Sequence, residues 1–424
     1  MKTKAVRLYG KNDLRLEEFE LPQIKDNEIL AKVVSDSLCM SSYKALTQGA
    51  DHKRIPNNVA ENPIIIGHEF AGVLVEVGGK WAHKFKAGDK FSIQPALNYE
   101  KAPVGVLSAP GYSYPYIGGD ATCVIIPNEV MEQDCLLPYR GEGFYPASLS
   151  EPLSCVIGAM HASYHITQGS YIHNMEIVDG GKMAILAGAG PMGLAAVNYV
   201  IRREDRRPSL LVVTDVDQTR LDRAALLYAV ETAARAGVDL RYINTAKMEN
   251  PAEELKAISG GEGYNDVFVF APVKALVEQG DAILGFDGCL NFFAGPGDPD
   301  FSAMMNFYNV HYGYTHIAGT SGGNNNDMVE ALDLMGKGLD PAGLVTHVGG
   351  LNAVVEATKH LPEIPGGKKL IYTHIEMPLT PISGFAKLAG TNPVCKKLAE
   401  ICDRNNGLWS VEAESYLLEN ADKL

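Results

Sequence analysis

Cys39, His68, Glu69 and Glu151 are the side chains of this 424-residue sequence best suited to hold a metal, and all four precede a GAGPMG loop at residues 188–193. Zinc accepts thiolate, imidazole and carboxylate ligands, and its catalytic sites use three protein ligands and keep one position open. A glycine loop of this form, joining a strand to a helix, cradles the pyrophosphate of a dinucleotide. Metal ligands first and dinucleotide second point to hydride transfer to or from an oxygen polarised by the metal. Each residue also has a plainer role. A single Cys is by default a small buried hydrophobe, and Glu151, followed by Pro152, reads as a charge at a helix N-terminus. Their shared place ahead of a nucleotide loop favours the metal.

Within the loop, Gly188 allows the tight turn, Gly190 admits the pyrophosphate, and Gly193 lets the helix opened by Pro191 and Met192 pack closely on the sheet. Asp215 closes the next apolar run, LLVVTD, 22 residues after Gly193 (215 − 193 = 22). A carboxylate there accepts the ribose hydroxyls and repels a 2′-phosphate, which favours NAD(H) over NADP(H). Arg220 reads equally as a neighbour of the adenine and as a solvated helix charge. Lys44, His52, Lys53 and Arg54 make a local basic cluster just beyond Cys39. Such a cluster suits a sugar phosphate, although a solvated loop explains it as simply.

These residues need two kinds of scaffold. Up to about residue 155 the chain alternates short β patterns, KAVRLY, EILAKVVS, FAGVLVEVG, DKFSI and TCVIIP, split by Gly and Pro. That predicts a mostly antiparallel β domain, interrupted by long connections around 46–63 and 96–118 of the kind that often line a site. From KMAILAG (182–188) onward, strand runs at 210–215, 240–245, 266–272, 289–295 and 315–322 alternate with helical runs, among them RLDRAALLYAVETAARAG and VKALVEQGDAIL. Alternation of that kind predicts a doubly wound parallel sheet. The expected division is 1–158 for the metal domain, 159–325 for the dinucleotide domain, 326–376 as a return to the first, and a helical extension over 377–424. Two helices are expected in that extension, near 393–404 and 409–420.

Composition narrows the function classes. Hydrophobic residues make up 46% and charged residues 21%, with a net charge of −14. No Lys/Arg stripe replaces phosphate counterions, so no nucleic-acid partner is expected. No apolar run approaches membrane-spanning length. Seven scattered Cys without paired spacing fit a reducing compartment, and a cytoplasmic location is expected.

The motifs together resemble the zinc-dependent medium-chain dehydrogenase/reductase family, in its sorbitol dehydrogenase-like branch. GHEFAGVLVEVG (67–78) is similar to the family's zinc signature, and KAGDK (86–90) to its Val-Gly-Asp turn. CMSSY (39–43) stands where the Cys ligand motif falls, and SEPLSC (150–155) resembles the branch's Glu-Pro-Leu segment. The resemblance implies a GroES-like catalytic domain beside a Rossmann domain. It also implies Cys39 and His68 as zinc ligands, with Glu69 or Glu151 as the third. Ser41 would then bond the substrate oxygen and pass its proton outward. Met40 and Ser42 depart from the family's Gly and Asp, and Lys44 stands where many relatives have a relay His. Residues 96–118 carry no Cys, so one catalytic zinc and no structural zinc is expected.

The 46–63 insert, YIGGDATCVIIP (116–127), NFYNVHYGYTHIAGTSGGN (306–324) and the C-terminal extension are similar to bacterial sugar-phosphate reductases of that family. That implies interconversion of a ketose phosphate, such as L-sorbose 1-phosphate, and its polyol phosphate. An unphosphorylated polyol or other secondary alcohol is the alternative substrate, and a non-catalytic nucleotide-binding protein the alternative class. A homodimer or homotetramer is implied as well.

Overall fold

The computed structural model describes residues 1–424. Chain contacts divide it into two compact units, one formed by Met1–Glu151 with Met328–Leu424 and the other by Pro152–Asp327.

In the first unit the alternating strands pair as their pattern demands. Ile29–Leu38 lies at the centre of an eight-stranded sheet. It is flanked by Lys368–Tyr372 on one side and Ala71–Val77 on the other, with Lys90–Ile93 and Leu136–Pro138 beyond. Cys123–Ile126 also pairs with it, antiparallel. Lys2–Gly10 pairs separately with Asp13–Glu20 and Ile64–Ile65. The sheet is mixed, because Val345–Gly350 and Lys368–Tyr372 run parallel. Residues from the end of the chain thus complete a sheet begun near its start. Ala5, Ile29, Val33, Phe70, Leu74, Phe91, Val124 and Ile126 fill one core of this unit. A second core, of Val6, Leu8, Leu38, Leu46, Ile64, Tyr112, Leu351 and Ile371, backs the segment that carries Cys39.

The C-terminal extension packs on this unit. Helices Pro393–Arg404 and Val411–Asn420 and the link between them bury Cys395, Leu398, Ile401, Trp409 and Leu417 against Val348, Leu370, Tyr372 and Phe385. Asn392 caps the first helix by accepting from Val394 N and Cys395 N, and Ser410 caps the second by accepting from Ala413 N.

The second unit is a six-stranded parallel sheet. Its order is Asp239–Asn244, Leu210–Asp215, Lys182–Leu186, Tyr264–Val269, Leu284–Phe292, His316–Ala318. Counted along the chain this is 3-2-1-4-5-6, the Rossmann order, with a crevice where the order reverses. Leu210–Asp215 is buried throughout, as expected for a strand covered on both faces. The apolar stretch 220–237, read as one helical run, is two helices, Gln218–Leu227 and Val230–Arg235. The Tyr242 hydroxyl, 2.9 Å from the Tyr228 carbonyl and 3.2 Å from that of Ala224, takes up carbonyls at the break. Ala229 then turns extended and starts the second helix.

Candidate metal and dinucleotide sites

The candidate metal residues all lie in the first unit. Cys39 follows the central strand and stands at the N-terminus of helix Met40–Gln48, where its side chain makes no capping bond. The thiol instead accepts from Ser41 Oγ at 3.0 Å. Gly67 adopts φ +92°, and a Cβ there would fall 2.1 Å from Asp36 Oδ2 and 2.6 Å from Asp120 N. Only glycine fits this turn, and the turn presents His68 and Glu69 inward. Ser41 Oγ and the Tyr112 hydroxyl each lie 3.3 Å from His68 Nε2.

One ligand atom each from Cys39, His68 and Glu69 falls within 4.8 Å of the others. Glu69 accepts from Lys368 Nζ at 2.5 and 2.7 Å, and its own backbone N–H donates to Asp36 Oδ1 at 3.1 Å. Burial favours the neutral acid at Glu69, but the Lys368 and His68 charges outweigh it and hold the pKa below its usual value. Burial works to lower Lys368, and Glu69 with its negative neighbours drives it up instead. Glu151 occupies the first turn of helix Ser150–Ala162. Burial, reinforced by the Glu69 charge, pushes its carboxyl to about 7. Burial likewise raises the Cys39 thiol, with Lys368 opposing. His68 Nδ1 is buried without a hydrogen-bond partner. A soft thiol, an imidazole and the Glu69 carboxylate converge as a donor set that a divalent zinc ion fits, while Glu151 stands outside that close group and is linked to it through the charges it feels.

The basic cluster reaches this centre through Tyr112. The His52 ring stacks on Tyr112 at 5.7 Å and 7°, and the Arg54 guanidinium lies 5.9 Å from the same ring. Arg54 Nη1 donates to the Leu107 carbonyl at 3.0 Å, and the Arg54 carbonyl accepts from Ser113 Oγ at 2.7 Å. Burial lowers the His52 pKa to about 4, aided by Arg54, Lys53 and Lys44 in that order, so all four basic residues share one electrostatic neighbourhood. Lys53 is exposed, whereas Lys44, His52 and Arg54 are half-buried.

In the second unit, the strand Lys182–Leu186 leads through the glycine loop into helix Pro191–Arg202, with Gly190 as N-cap and Pro191 opening the first turn. The three glycines meet different surroundings. A Cβ on Gly188 would press on Ile185 and Val213 at 2.7 and 2.9 Å, and one on Gly193 would lie 2.2 Å from the Gly188 carbonyl. At Gly190 nothing stands within 4 Å. Met192 is half-buried in the first turn. Asp215 Oδ1 accepts from Val216 N at 2.8 Å and Asp217 N at 3.1 Å, which fixes the carboxylate at the strand end. Asp217 caps helix Gln218–Leu227, and Arg220 pairs with it at 3.6 Å.

Tyr112 and Lys368 border the candidate metal site and were not among the residues singled out from the sequence. Tyr112 lies in the 96–118 connection, whose length alone marked it as a site wall. Lys368 had a weaker signal, a lysine on the alternating face of KKLIY, and its partner is 299 positions away.

Two family models match the chain, an alcohol dehydrogenase GroES-like domain over residues 25–133 and a zinc-binding dehydrogenase over residues 211–337. The L-sorbose 1-phosphate reductase of Klebsiella pneumoniae is 50% identical over 423 residues, covering 100% of this chain and 98% of the relative. The chain belongs to the zinc-dependent medium-chain dehydrogenase/reductase family. The mannitol-1-phosphate 5-dehydrogenase of Aliivibrio fischeri is also 50% identical to this dehydrogenase, over 99% of the chain and 98% of the relative. Among solved structures, the 2R,3R-butanediol dehydrogenase of Bacillus subtilis matches with a TM-score of 0.68 at 20% identity, over 87% of this chain and 99% of that one. A zinc-binding dehydrogenase of Sinorhizobium meliloti bound to NADP matches with a TM-score of 0.67 at 18% identity, over 88% and 99%. This dehydrogenase is therefore an oxidoreductase of the alcohol and polyol type, built from a GroES-like and a Rossmann domain. No helix is long and apolar enough to cross a membrane.

Proposed function

We propose that this dehydrogenase interconverts a ketose phosphate, such as L-sorbose 1-phosphate, and the corresponding polyol phosphate. The observation that carries this reading is the Tyr112 bridge, with the Arg54 guanidinium and the neutral His52 imidazole on its ring and its hydroxyl 3.3 Å from His68 Nε2. Full-length identity to relatives named for sorbose 1-phosphate and mannitol 1-phosphate supports it. Cys39, His68 and either Glu69 or Glu151 would hold one catalytic zinc, and no structural zinc is proposed. When bound, zinc supplies a Lewis acid that lowers the pKa of an alcohol and polarises a ketone.

The chain's own residues then have definite tasks. Ser41, whose Oγ donates to the Cys39 thiol at 3.0 Å, takes the hydroxyl proton of the substrate and passes its own outward. Lys44 lies three residues further on the same helix, on the face shared with Ser41, where its ammonium would favour the departure of that proton without accepting it. Arg54, His52, Lys53 and Lys44 bind and orient the phosphate, with Arg54 suited to two parallel hydrogen bonds. A nicotinamide dinucleotide, when bound, would supply the redox chemistry as acceptor or donor of the substrate's hydride.

NAD(H) is proposed over NADP(H), because Asp215 ends its strand as a fixed carboxylate and Arg220 is drawn to Asp217. Gly188, Gly190, Pro191, Met192 and Gly193 would hold the pyrophosphate, with the open space at Gly190 as its berth. A homodimer or homotetramer is proposed too, supported by Ile317 on the edge strand and by Phe286 and Tyr314, all apolar and exposed. The cytoplasm is the proposed location.

Steady-state turnover of sorbose 1-phosphate and mannitol 1-phosphate, beside the unphosphorylated sugars, tests the function. The phosphorylated compounds are expected to dominate kcat/KM. Turnover of the free polyol alone would sink the proposal.

A further inference from the structure

Glu414 belongs to the C-terminal extension, yet its carboxylate gathers two segments that run to the metal site. Oε1 accepts from Tyr145 N at 2.8 Å and from the Tyr372 hydroxyl at 2.8 Å, and Oε2 accepts from Phe144 N at 2.6 Å. The Tyr372 hydroxyl in turn accepts from Trp409 Nε1 at 2.8 Å. Gly143 makes room for this arrangement, since a Cβ there would stand 2.6 Å from Glu414 Oε2. Glu414 is 2% exposed and Trp409 is fully buried.

Each segment leads to a candidate metal residue. Tyr372 and Lys368 lie four apart on one strand and so project from the same face of the sheet. Lys368 holds Glu69. Phe144 and Tyr145 begin the short helix Tyr145–Ser148, which runs directly into Ser150–Ala162 and brings Glu151 six residues after Tyr145 (151 − 145 = 6). A buried carboxylate is costly unless its bonds are made, and an apolar side chain would fill the same space more cheaply. Three donors converging from two segments give Glu414 a task that bulk packing does not need.

We propose that Glu414 is a positioning residue for the metal centre, clasping the strand that carries Lys368 to the start of the short helix that leads to Glu151. The extension thereby sets the relative placement of the two carboxylates that compete for the metal. This inference rests on the ligand set given under the proposed function.

The test uses the full-length, zinc-loaded protein and four variants: Glu414→Ala, Glu414→Gln, Tyr372→Phe and, as a control, Leu398→Ala in the same apolar cluster. Two quantities are read well below the melting temperature, the rate of zinc release to a chelator and the visible absorption of the cobalt-substituted protein. Partners behind metal ligands typically alter metal affinity 10- to 100-fold. Zinc release roughly tenfold faster is expected for Glu414→Ala, with a smaller acceleration in Tyr372→Phe and Glu414→Gln and an altered cobalt spectrum in each. Leu398→Ala is expected to lower Tm while leaving both readouts in place. If Glu414→Ala does not fold, the other two variants carry the test. Glu414 variants that lower Tm but leave zinc release and the cobalt spectrum unchanged overturn the positioning role alone. An unsubstituted protein that cannot hold stoichiometric zinc overturns the ligand set and the inference with it.

Discussion

Lys368 Nζ stands 2.5 and 2.7 Å from the two carboxylate oxygens of Glu69, both residues buried and 299 positions apart in the chain. The pair joins the N-terminal zinc-signature segment to a strand that returns after the whole Rossmann domain. Breaking a buried pair from one side leaves an uncompensated charge, at a cost of about 3–5 kcal/mol. Lys368→Met is therefore expected to destabilise the metal-free protein by that order in denaturant unfolding. Adding Glu69→Gln should restore part of the loss, and a double variant no more stable than Lys368→Met would contradict a direct pairing.

The Tyr112 bridge predicts a split between substrates. Arg54→Ala should raise KM for a ketose phosphate by about 10- to 100-fold, the loss of a charge-assisted hydrogen bond of ~1.5–3 kcal/mol. Turnover of the free ketose should hardly change. Equal losses on both substrates would mean that Arg54 supports the loop and does not bind phosphate.

The proposed preference for NAD(H) rests on a single carboxylate, Asp215. Asp215→Ser removes its negative charge, so kcat/KM for NADP(H) should rise relative to NAD(H) by about tenfold or more. An unchanged ratio would place the discriminating contact elsewhere.

Acid should loosen the catalytic unit through histidines buried in neutral form. His52, His347 and His374 are each lowered to about 4, chiefly by burial, with nearby lysines or Arg54 adding to the effect. A base depressed in the folded state lets the unfolded chain bind more protons between its ordinary pKa of 6.5 and about 4. Stability is thus expected to fall as pH drops through that window. Proton uptake on unfolding near pH 5 checks the sign, and His374→Gln should reduce the uptake by about one proton. Unchanged uptake in that variant would show that His374 is already protonated in the fold.

Much of this organisation was legible along the chain, and the exceptions have physical causes. The strand–loop–helix around Gly188–Gly193 reads well because its glycines, Pro191 and apolar periods are all local. The helices expected near 393–404 and 409–420 read well for the same reason, through their apolar faces, and form as Pro393–Arg404 and Val411–Asn420. The division of 218–235 into two helices did not, because the break involves a hydroxyl from Tyr242 on a neighbouring strand. The parallel pairing of Val345–Gly350 with Lys368–Tyr372 was hidden likewise, since both segments alternate in the same way whatever their partner's direction. At the candidate metal site, Cys39, His68 and Glu69 are ordinary one by one and stand out by type only through their shared place ahead of the nucleotide loop. Lys368 and Tyr112 matter only because folding brings them to those residues, and no local pattern encodes that approach.

The most direct test of the central claim is a crystal structure of the zinc- and NAD-loaded protein soaked with a polyol phosphate. The account predicts a reacting hydroxyl beside Cys39, His68 and Ser41, and a phosphate bound by Arg54 with His52, Lys53 or Lys44, the Tyr112 ring standing between the two ends. A phosphate in solvent, or held by other residues while the hydroxyl still reaches the zinc, would contradict it.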